Sequence, residues 1–420
     1  MASGSFDFSA IRDTLRVRNF AVFSAGNGIS LIGTWMQRLA VGWLTWNLTE
    51  SGTWLGAVSM AEFAPVVVLA PIYGVMTDRF DRRRIAVIGQ YFAMLQAAAL
   101  AALTLTGAIT PMMILLLQLA SGVIQPLIQT ARLVLVPSMM PRERVGNAIA
   151  ITSLMFNTAR IVGPMIAGVL ISAIGVGWAF AVNAVTYIAV IYALTSLELP
   201  PHRTTHRGPM LAGLADEVTS GWRYVTHHPL LGWILPTVGV ACVLTWPIGD
   251  LLPGIADHVF QRGPSGLATL TSAQGVGAIC GGLILAHRPS PEGLVKVVVG
   301  AMVANGIILA IFAITPIFWV AVLVLLVSSF FSVMVGVGSQ SLAQIVITDQ
   351  MRGRALSAWY TVTRVGPAFG VMGLGYLSTF FGFSKPLFCA GIITAFVAAI
   401  TFYRKRHVVH QMSEHPPEAG

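Results

Sequence analysis

Long apolar stretches separated by short polar ones fill most of this chain. Each stretch holds about 20 residues, the length that a helix needs to cross the ~30 Å hydrocarbon core of a bilayer. Twelve spans can be placed in this way, at residues 20–46, 53–76, 85–106, 111–135, 147–174, 178–196, 229–256, 265–286, 293–314, 317–347, 355–381 and 386–403. The pattern predicts an all-α membrane protein with twelve transmembrane helices.

An internal repeat divides the spans into two sets of six. The segment TARIVGP at 158–164, in the fifth span, recurs as TVTRVGP at 361–367, in the eleventh. Parallel repeats of six helices are a known plan of membrane transporters. The sequence therefore predicts two six-helix bundles with polar segments around them. Their boundaries are an N-terminal arm at 1–19, a first bundle at 20–196, a linker at 197–228, a second bundle at 229–403 and a tail at 404–420.

Composition excludes a soluble protein and explains the basic charge. Hydrophobic residues make up 55% of the chain and charged residues 10%, whereas a soluble domain carries about a quarter charged residues. With the N-terminus placed inside, 20 of the 25 Lys and Arg fall on the cytoplasmic side, as the positive-inside rule requires. The net charge of +9 thus reports topology rather than nucleic-acid binding. We expect a multi-pass protein of the bacterial inner membrane with both termini cytoplasmic.

The turn after the second span carries the most specific motif. It reads GVMTDRFDRRR at 74–84 and resembles the G-x-x-x-D-R-x-x-R-R loop of the major facilitator superfamily. The resemblance covers the whole chain and implies alternating access between two bundles, without a cofactor. Glycine allows close helix contact, and an aspartate can pair with arginines or a helix N-terminus. The predicted latch on the cytoplasmic side consists of Gly74, Asp78, Arg79 and Arg83; the alternative is a basic cluster that only sets topology.

The repeated Gly-Pro element favours export. Arg160-Ile161-Val162-Gly163-Pro164 resembles the G-P-x-x-G-G element of the exporter branch, and the alternative is an ordinary packing kink. Glycine and proline weaken a helix locally and permit a bend. The predicted hinge residues are Gly163, Pro164, Gly366 and Pro367. Where many proton-driven drug antiporters have an arginine early in the fourth span, this chain has Gln118, which argues against a simple transfer of their mechanism.

Further short sequence matches indicate a narrower group within the superfamily. The stretches RNF at 18–20, GTWMQR at 33–38 and NTAR at 157–160 are similar to the enterobactin-exporter-like group, which includes siderophore and macrolide efflux proteins. This resemblance implies a secondary transporter, and we expect a monomer. The sequence does not indicate an enzyme, because no convergent nucleophile, metal cluster or nucleotide-binding loop is visible in it. Cys242, Cys280 and Cys389 are scattered over the apolar stretches and are interpreted as small packing residues buried in the membrane, which argues against a disulfide framework or a metal site.

Polar residues inside the spans are the candidate site, because lipid cannot satisfy them. A carboxyl in a low-dielectric cavity can take up and release a proton, so Glu62 and Asp250 are candidates for proton coupling. For Glu62 the alternative is a structural ion pair with Arg38 or another arginine. Candidates for the cavity or for substrate contact are Arg38, Gln118, Gln125, Asn157, Arg160, Gln274, Gln340 and Arg364.

These patterns predict proton-coupled export of a small amphipathic organic compound, such as a siderophore or a drug-like molecule. An apolar cavity with a few cations also suits a lysophospholipid or lipid translocator. A sensor or assembly factor that keeps the fold without transport is the third possibility. The sequence leaves these three open, along with the direction of transport and the coupling ion.

Overall fold

A computed structural model describes residues 8–198, 214–286, 293–348 and 351–414; it leaves undescribed the side chains of residues 8–11, 67, 68, 70, 71, 74, 75, 78, 214–218, 286, 352, 353 and 406–414. Within these ranges the regular structure is helical, with no strand. Residues 199–213 of the predicted linker and the end of the tail lie outside the described residues.

The helices follow the predicted apolar stretches closely. They are α1 (Phe8–Leu15), α2 (Arg18–Thr49), α3 (Gly52–Arg79), α4 (Arg82–Leu105), α5 (Pro111–Ser138), α6 (Val145–Ile174), α7 (Val176–Thr195), α8 (Leu214–His227), α9 (Leu231–Leu244), α10 (Ile248–Gly254), α11 (Gly263–Ala286), α12 (Leu294–Ile314), α13 (Phe318–Val346), α14 (Arg352–Phe381) and α15 (Ser384–Glu414). Nine segments of the described chain are long and apolar enough to cross a membrane. Helices α2, α3 and α14 are also long, and several side chains of α3 lie outside the described set.

The seventh predicted span is broken rather than continuous. Helix α9 ends at Leu244, α10 begins at Ile248, and a short π-helix at Ile255–Val259 follows directly. Pro247 lies in the gap and Pro253 lies within α10, and a proline lacks the N–H that a continuous helix needs. The break therefore has a local cause in the sequence.

The chain divides into two compact units. The first comprises Met1–Val41 and Val68–Met210, and the second comprises Gly42–Val67 and Leu211–Gly420. The segment 42–67, which the predicted first bundle contains, is thus grouped here with the second unit. In the first unit the apolar core includes Phe20, Phe23 and Tyr187. In the second it includes Trp233, Met302 and Val335.

The exterior is apolar as well as the core. Tyr192 is 70% exposed, Val169 69% and Leu133 67%, and dozens of other large apolar side chains are exposed to a lesser extent. A soluble protein rarely presents such an extensive apolar surface to water. The chain is therefore a multi-pass membrane protein, whose surface side chains have lipid as their solvent.

Candidate functional site

The indole of Trp35 is the centre of a cationic cluster in the first unit. The guanidinium carbons of Arg38 and Arg160 each lie 5.7 Å from the centroid of this ring. The edge of Phe156 meets the same indole, with ring centroids 5.5 Å apart. Both arginines are half-buried near the middle of their helices, α2 and α6. The structure thus brings together two of the predicted substrate residues around the ring of Trp35. In the sequence this tryptophan carried part of the family resemblance and was not predicted to belong to a site.

Gly163 determines how closely α2 and α6 approach at this cluster. A Cβ atom built on Gly163 would lie 2.7 Å from the Cβ of Trp35 and 2.8 Å from the carbonyl oxygen of Ile32. Only glycine fits such a contact, as is common where membrane helices pack closely. Helix α6 continues without interruption through Pro164, and α14 through Pro367. The hinge role of these residues, and of Gly366, stays a prediction.

A chain of buried amides crosses the same unit beside the arginine cluster. The Gln37 amide donates to Gln96 Oε1 at 2.9 Å, and the Gln96 amide donates to Gln118 Oε1 at 3.2 Å. Asn183 donates in turn to Gln37 Oε1 at 2.7 Å. All four side chains are at most 7% exposed, so these bonds connect α2, α4, α5 and α7 in an environment where unsatisfied amides are costly. In this arrangement Gln118 ties helices together; its role in substrate binding stays a prediction.

Two further candidates of the first unit also donate hydrogen bonds to described residues. Gln125 donates to the hydroxyl of Tyr187 at 3.2 Å, which connects α5 to α7. Asn157 donates to the carbonyl of Ser153 within α6 at 2.9 Å. The sequence analysis missed Gln96 and Tyr187. The only sequence signal for them was that polar residues interrupt the apolar spans in which their hydrogen-bond partners lie.

In the second unit the predicted residues have separate described contacts and exposures. Gln340 donates to the hydroxyl of Tyr360 at 2.9 Å, and the backbone carbonyl of Gln274 accepts from Ser329 at 2.7 Å. Arg364 is exposed on α14. The structure therefore does not give Arg364 an environment like that of Arg160, although the repeat placed them in matching helices.

Asn305 is the polar centre of the second unit, and the sequence analysis missed it. Its amide donates to the hydroxyls of Thr245 and Ser332, both at 3.1 Å, and its carbonyl oxygen accepts from Ser328 at 2.8 Å. Asn305 is 1% exposed. Thr245 lies in the gap after α9, so this network holds the broken span against α12 and α13.

The segment 42–67 packs within the second unit through small residues. A Cβ atom on Gly52 would lie 2.6 Å from the carbonyl oxygen of Gly375, and one on Gly56 would lie 2.8 Å from the Cα of Met372. The hydroxyls of Thr53 and Thr379 are hydrogen-bonded at 3.0 Å. The beginning of α3 thus lies directly against the backbone of α14.

A second contact of this segment involves a carboxylate that the sequence analysis did not select. The Trp46 indole N–H donates to Asp257 Oδ2 at 3.0 Å. The Trp46 ring also packs against Phe383, with centroids 5.6 Å apart. Glu62 and Asp250, the predicted proton-coupling residues, are both half-buried, in α3 and α10. Their coupling role stays a prediction.

The predicted latch is only partly described. The surroundings of Gly74 and the side chain of Asp78 lie outside what the structure describes. Arg79 is half-buried, and Arg83 donates to the backbone carbonyls of Leu197, at 2.9 Å, and Thr195. A guanidinium on the last carbonyls of a helix is a favourable C-terminal cap. Arg83 thus stabilises the end of α7, and the latch itself remains a prediction.

The three cysteines do not share one environment. Cys242 is buried, but Cys280 and Cys389 are exposed, so the interpretation of all three as buried packing residues was wrong for two of them. Hydropathy could not distinguish exposed from buried cysteines, because a helix face turned to lipid is as apolar as one turned to the core. Among the described residues, no group of three or more His, Cys, Asp or Glu is placed to hold a metal ion.

Comparison with known proteins agrees with this architecture over nearly the whole chain. The family model described as transmembrane secretion effector, within the major facilitator superfamily, matches residues 11–418. The chain belongs to this family. Curated relatives in the superfamily include enterobactin exporters EntS. That of Salmonella choleraesuis (strain SC-B67) is 28% identical over 85% of this chain and 84% of its own length. That of Escherichia coli O127:H6 is 28% identical over 79% of this chain and 77% of its own length.

Solved major facilitator structures share the fold at low identity. A bacterial homologue of the human lysosomal transporter Spinster aligns with a TM-score of 0.70 and 14% identity, covering 96% of this chain and 98% of that one. A bacterial homologue of the iron transporter ferroportin also gives 0.70 and 14%, covering 91% and 98%. The resemblance stated from the sequence motifs is confirmed, and the chain is a membrane transporter.

Proposed function

We propose that this transporter exports an amphipathic organic compound, in the siderophore or drug-like class, in exchange for protons. The observation that carries the proposal is the family match at 11–418 together with exporters among the relatives. The mechanism is alternating access of two six-helix bundles, formed by twelve spans with both termini in the cytoplasm. In this scheme α2, α3 and α14 complete the nine clearly apolar segments.

The polar groups in the described structure suit such a mechanism. Each unit carries a buried hydrogen-bonded network, around Gln37 in the first and Asn305 in the second, which gives it internal rigidity. Rigid units that rearrange against each other are the usual basis of alternating access. Glu62 and Asp250 supply carboxyls at partly buried positions where protonation can change with access.

Transport into inside-out vesicles tests the proposal. With the iron-free siderophore enterobactin as the first probe, we expect accumulation that depends on a pH gradient and stops when a protonophore is added. Glu62→Gln, at equal expression, should abolish the pH-driven part because it cannot ionise. Facilitated equilibration without the gradient should survive in this variant.

The alternatives give distinct outcomes in the same vesicles. Uptake of radiolabelled lysophosphatidylethanolamine in place of enterobactin would favour the lipid translocator. Absence of movement of either compound, from correctly folded protein, would favour the sensor and contradict the proposal. Unchanged pH-driven transport by Glu62→Gln would remove Glu62 from coupling and move attention to Asp250.

A further inference from the structure

Helix α14 presents two exposed faces of different chemistry. In its second half the exposed side chains are apolar or aromatic, with Phe369 59%, Tyr376 54% and Phe380 65% accessible. In its first half the exposed side chains include the polar Thr361 and the charged Arg364. Since each residue turns the helix by about 100°, the polar face points roughly 100° away from the apolar one. One helix therefore meets two different environments.

The exposure of Arg364 shows which of the two faces suits water. This arginine lies near the middle of α14 (Arg352–Phe381), which the proposed function treats as a membrane span. Lipid does not solvate a guanidinium, so arginines at such depth face either the protein interior or a water-filled cavity. Because Arg364 is exposed, it does not lie in the interior, and its face borders water. The face with Phe369, Tyr376 and Phe380 is the one that suits lipid.

The polar face continues onto the neighbouring helix α13. The amide of Gln340 donates to the hydroxyl of Tyr360 at 2.9 Å, and the Tyr360 side chain is 44% exposed. Gln344 follows Gln340 by one helical turn and is exposed, and Arg364 follows Tyr360 by one turn. Two amides, a phenol and a guanidinium thus lie on one accessible surface of the second unit.

The backbone around Arg364 is fixed by contacts on both sides of it, as a binding site requires. Before it in α14, the indole of Trp359 is 8% exposed and donates to the hydroxyl of Ser339 in α13 at 3.2 Å. After it, a Cβ atom on Gly366 would lie 3.2 Å from the Cβ of Cys242 in α9. Arg364 is therefore positioned before any ligand binds, which lowers the entropy lost on binding.

We propose that the polar face of α13 and α14 contacts the cargo of this transporter and that Arg364 binds an anionic group on it, a carboxylate, sulfonate or phosphate. A guanidinium suits this role because it offers paired N–H donors to an oxyanion. Charge favours an anion, since the sequences of α13 and α14 contain no aspartate or glutamate. The inference rests on the proposed function and adds that the cargo carries negative charge where it meets the second unit.

Cysteine labelling tests whether the polar face borders water. The exposed Cys280 and Cys389 are first replaced by serine. Thr361→Cys and Phe369→Cys are then compared in broken membranes with 2-sulfonatoethyl methanethiosulfonate, an anionic reagent that does not enter lipid. We expect Thr361→Cys to react about tenfold faster, because the reactive thiolate forms in water and not in hydrocarbon.

Two probes of similar skeleton but different charge test the role of Arg364. 1-Anilinonaphthalene-8-sulfonate is an anionic amphiphile, and N-phenyl-1-naphthylamine is the same ring system without the sulfonate. Their binding to protein in phosphatidylcholine nanodiscs is measured by fluorescence, with empty nanodiscs subtracted. We expect Arg364→Gln to weaken binding of the sulfonate about tenfold, the loss of one charged hydrogen bond, and to change binding of the neutral probe less than about twofold.

The controls separate this effect from a loss of structure or of charge in general. Arg364→Lys keeps the charge and should retain most of the sulfonate affinity. Arg404→Gln removes an equal charge at an exposed position of α15 and should leave both probes unchanged. Each variant must elute as a single symmetric peak in size-exclusion chromatography. Phosphatidylglycerol added to the nanodiscs distinguishes the sources of the anion, because competition with the sulfonate would indicate a lipid phosphate and its absence a soluble cargo.

Several results would overturn the inference. These are equal labelling of Thr361→Cys and Phe369→Cys, no binding of the sulfonate above empty nanodiscs, equal effects of Arg364→Gln and Arg404→Gln, or parallel losses for the charged and neutral probes. Gradient-driven transport of enterobactin in the vesicle assay would still stand in each case, so the proposed function and the role of Arg364 can fail separately.

Discussion

At the residue scale, Gly163 shows how one missing side chain determines a site. Its absent Cβ would lie 2.7 Å from Trp35 Cβ, a separation that real atoms do not tolerate without movement. Glycine in this position was selected from the sequence as a possible hinge. The structure shows a close contact at this glycine in a continuous helix, with Trp35 and Arg160 side by side, and the hinge role stays a prediction.

Gly163→Ala should therefore destabilise the protein, and we expect a loss of about 1–3 kcal/mol from overpacking. The matched control is Gly146→Ala in the same helix, where a new Cβ would meet nothing within 4 Å. That substitution should be neutral or stabilising, because alanine favours helix. Thermal unfolding in detergent, followed by tryptophan fluorescence, measures both. Equal melting temperatures for the two variants would contradict the contact.

His228 gives the protein a local dependence on pH at the junction of α8 and α9. Its Nδ1 atom accepts from the backbone N–H groups of Leu230, at 3.2 Å, and Leu231, at 3.3 Å. Partial burial lowers the pKa of His228 below its usual 6.5, because the charged form is poorly solvated there. The unfolded chain then binds more protons than the folded one as pH falls through about 6.5, so stability is lost on acidification.

We expect His228→Asn to reduce this loss, since asparagine can accept the same N–H groups but does not titrate. The measurement is the change in melting temperature between pH 8 and pH 5, compared with wild type. His227→Asn, at an exposed neighbour, serves as the control and should keep the wild-type slope. A wild-type slope in His228→Asn would show that the capping histidine does not contribute.

At the scale of elements, Trp46 connects the end of α2 to the π-helix through one N–H donor and an edge-on ring contact with His258. Trp46 is 4% exposed and donates to the half-buried Asp257. Trp46→Phe keeps an aromatic ring against Phe383 but leaves Asp257 without this donor. We expect a destabilisation of about 1–3 kcal/mol, the range for a lost partner of a buried polar group.

Chemical denaturation in mild detergent measures this change, with Trp178→Phe as the control at an exposed indole on α7. The control should lie within about 0.5 kcal/mol of wild type, as surface substitutions usually do. If Asp257→Asn, which can still accept the indole N–H, were as unstable as Trp46→Phe, the hydrogen bond would not be the cause.

The two arginines of the repeat show what the sequence could not predict, namely the environment of each side chain. Arg160 lies three residues before its Gly-Pro pair, whereas Arg364 lies two residues before the corresponding pair. One residue turns a side chain by about 100° around a helix. The shift agrees with the different environments, half-buried against Trp35 in one helix and exposed in the other. Hydropathy predicted the helices well, but it contains no information about which face meets a neighbour.

At the scale of the whole molecule, the distribution of arginines predicts the orientation in the membrane. Single cysteines introduced into the 77–84 turn should react with an impermeant maleimide only in inside-out vesicles. Cysteines placed at 107–110 should react only from the outside of intact cells. The native Cys280 and Cys389 are exposed and must first be replaced by serine. Labelling of the 77–84 turn from outside would reverse the topology and contradict the cytoplasmic placement of both termini.

At this scale, the hydrophobic pattern predicted the helical fold and the sequence motifs predicted the family. Neither predicted which buried polar side chains form hydrogen bonds with one another. Asn305 and Gln96 form buried networks through hydroxyl and amide groups that are distant in the chain. Such pairings depend on helix rotation and packing, which a hydrophobic pattern leaves undetermined. The order of spans was predictable because lipid allows few alternatives to a helix.

The contact of Gly52 with Gly375 has a mechanical consequence. Neither glycine places a side chain between the two backbones, and the nearest side chain, Ser378, is tied by its hydroxyl to the Gly375 carbonyl, so little there can change rotamer to absorb a small displacement. Such a tight contact between helices does not slide gradually; the two helices are either packed against each other or separated. If α3 leaves α14 during turnover, this contact gives the motion two discrete positions instead of a continuous range.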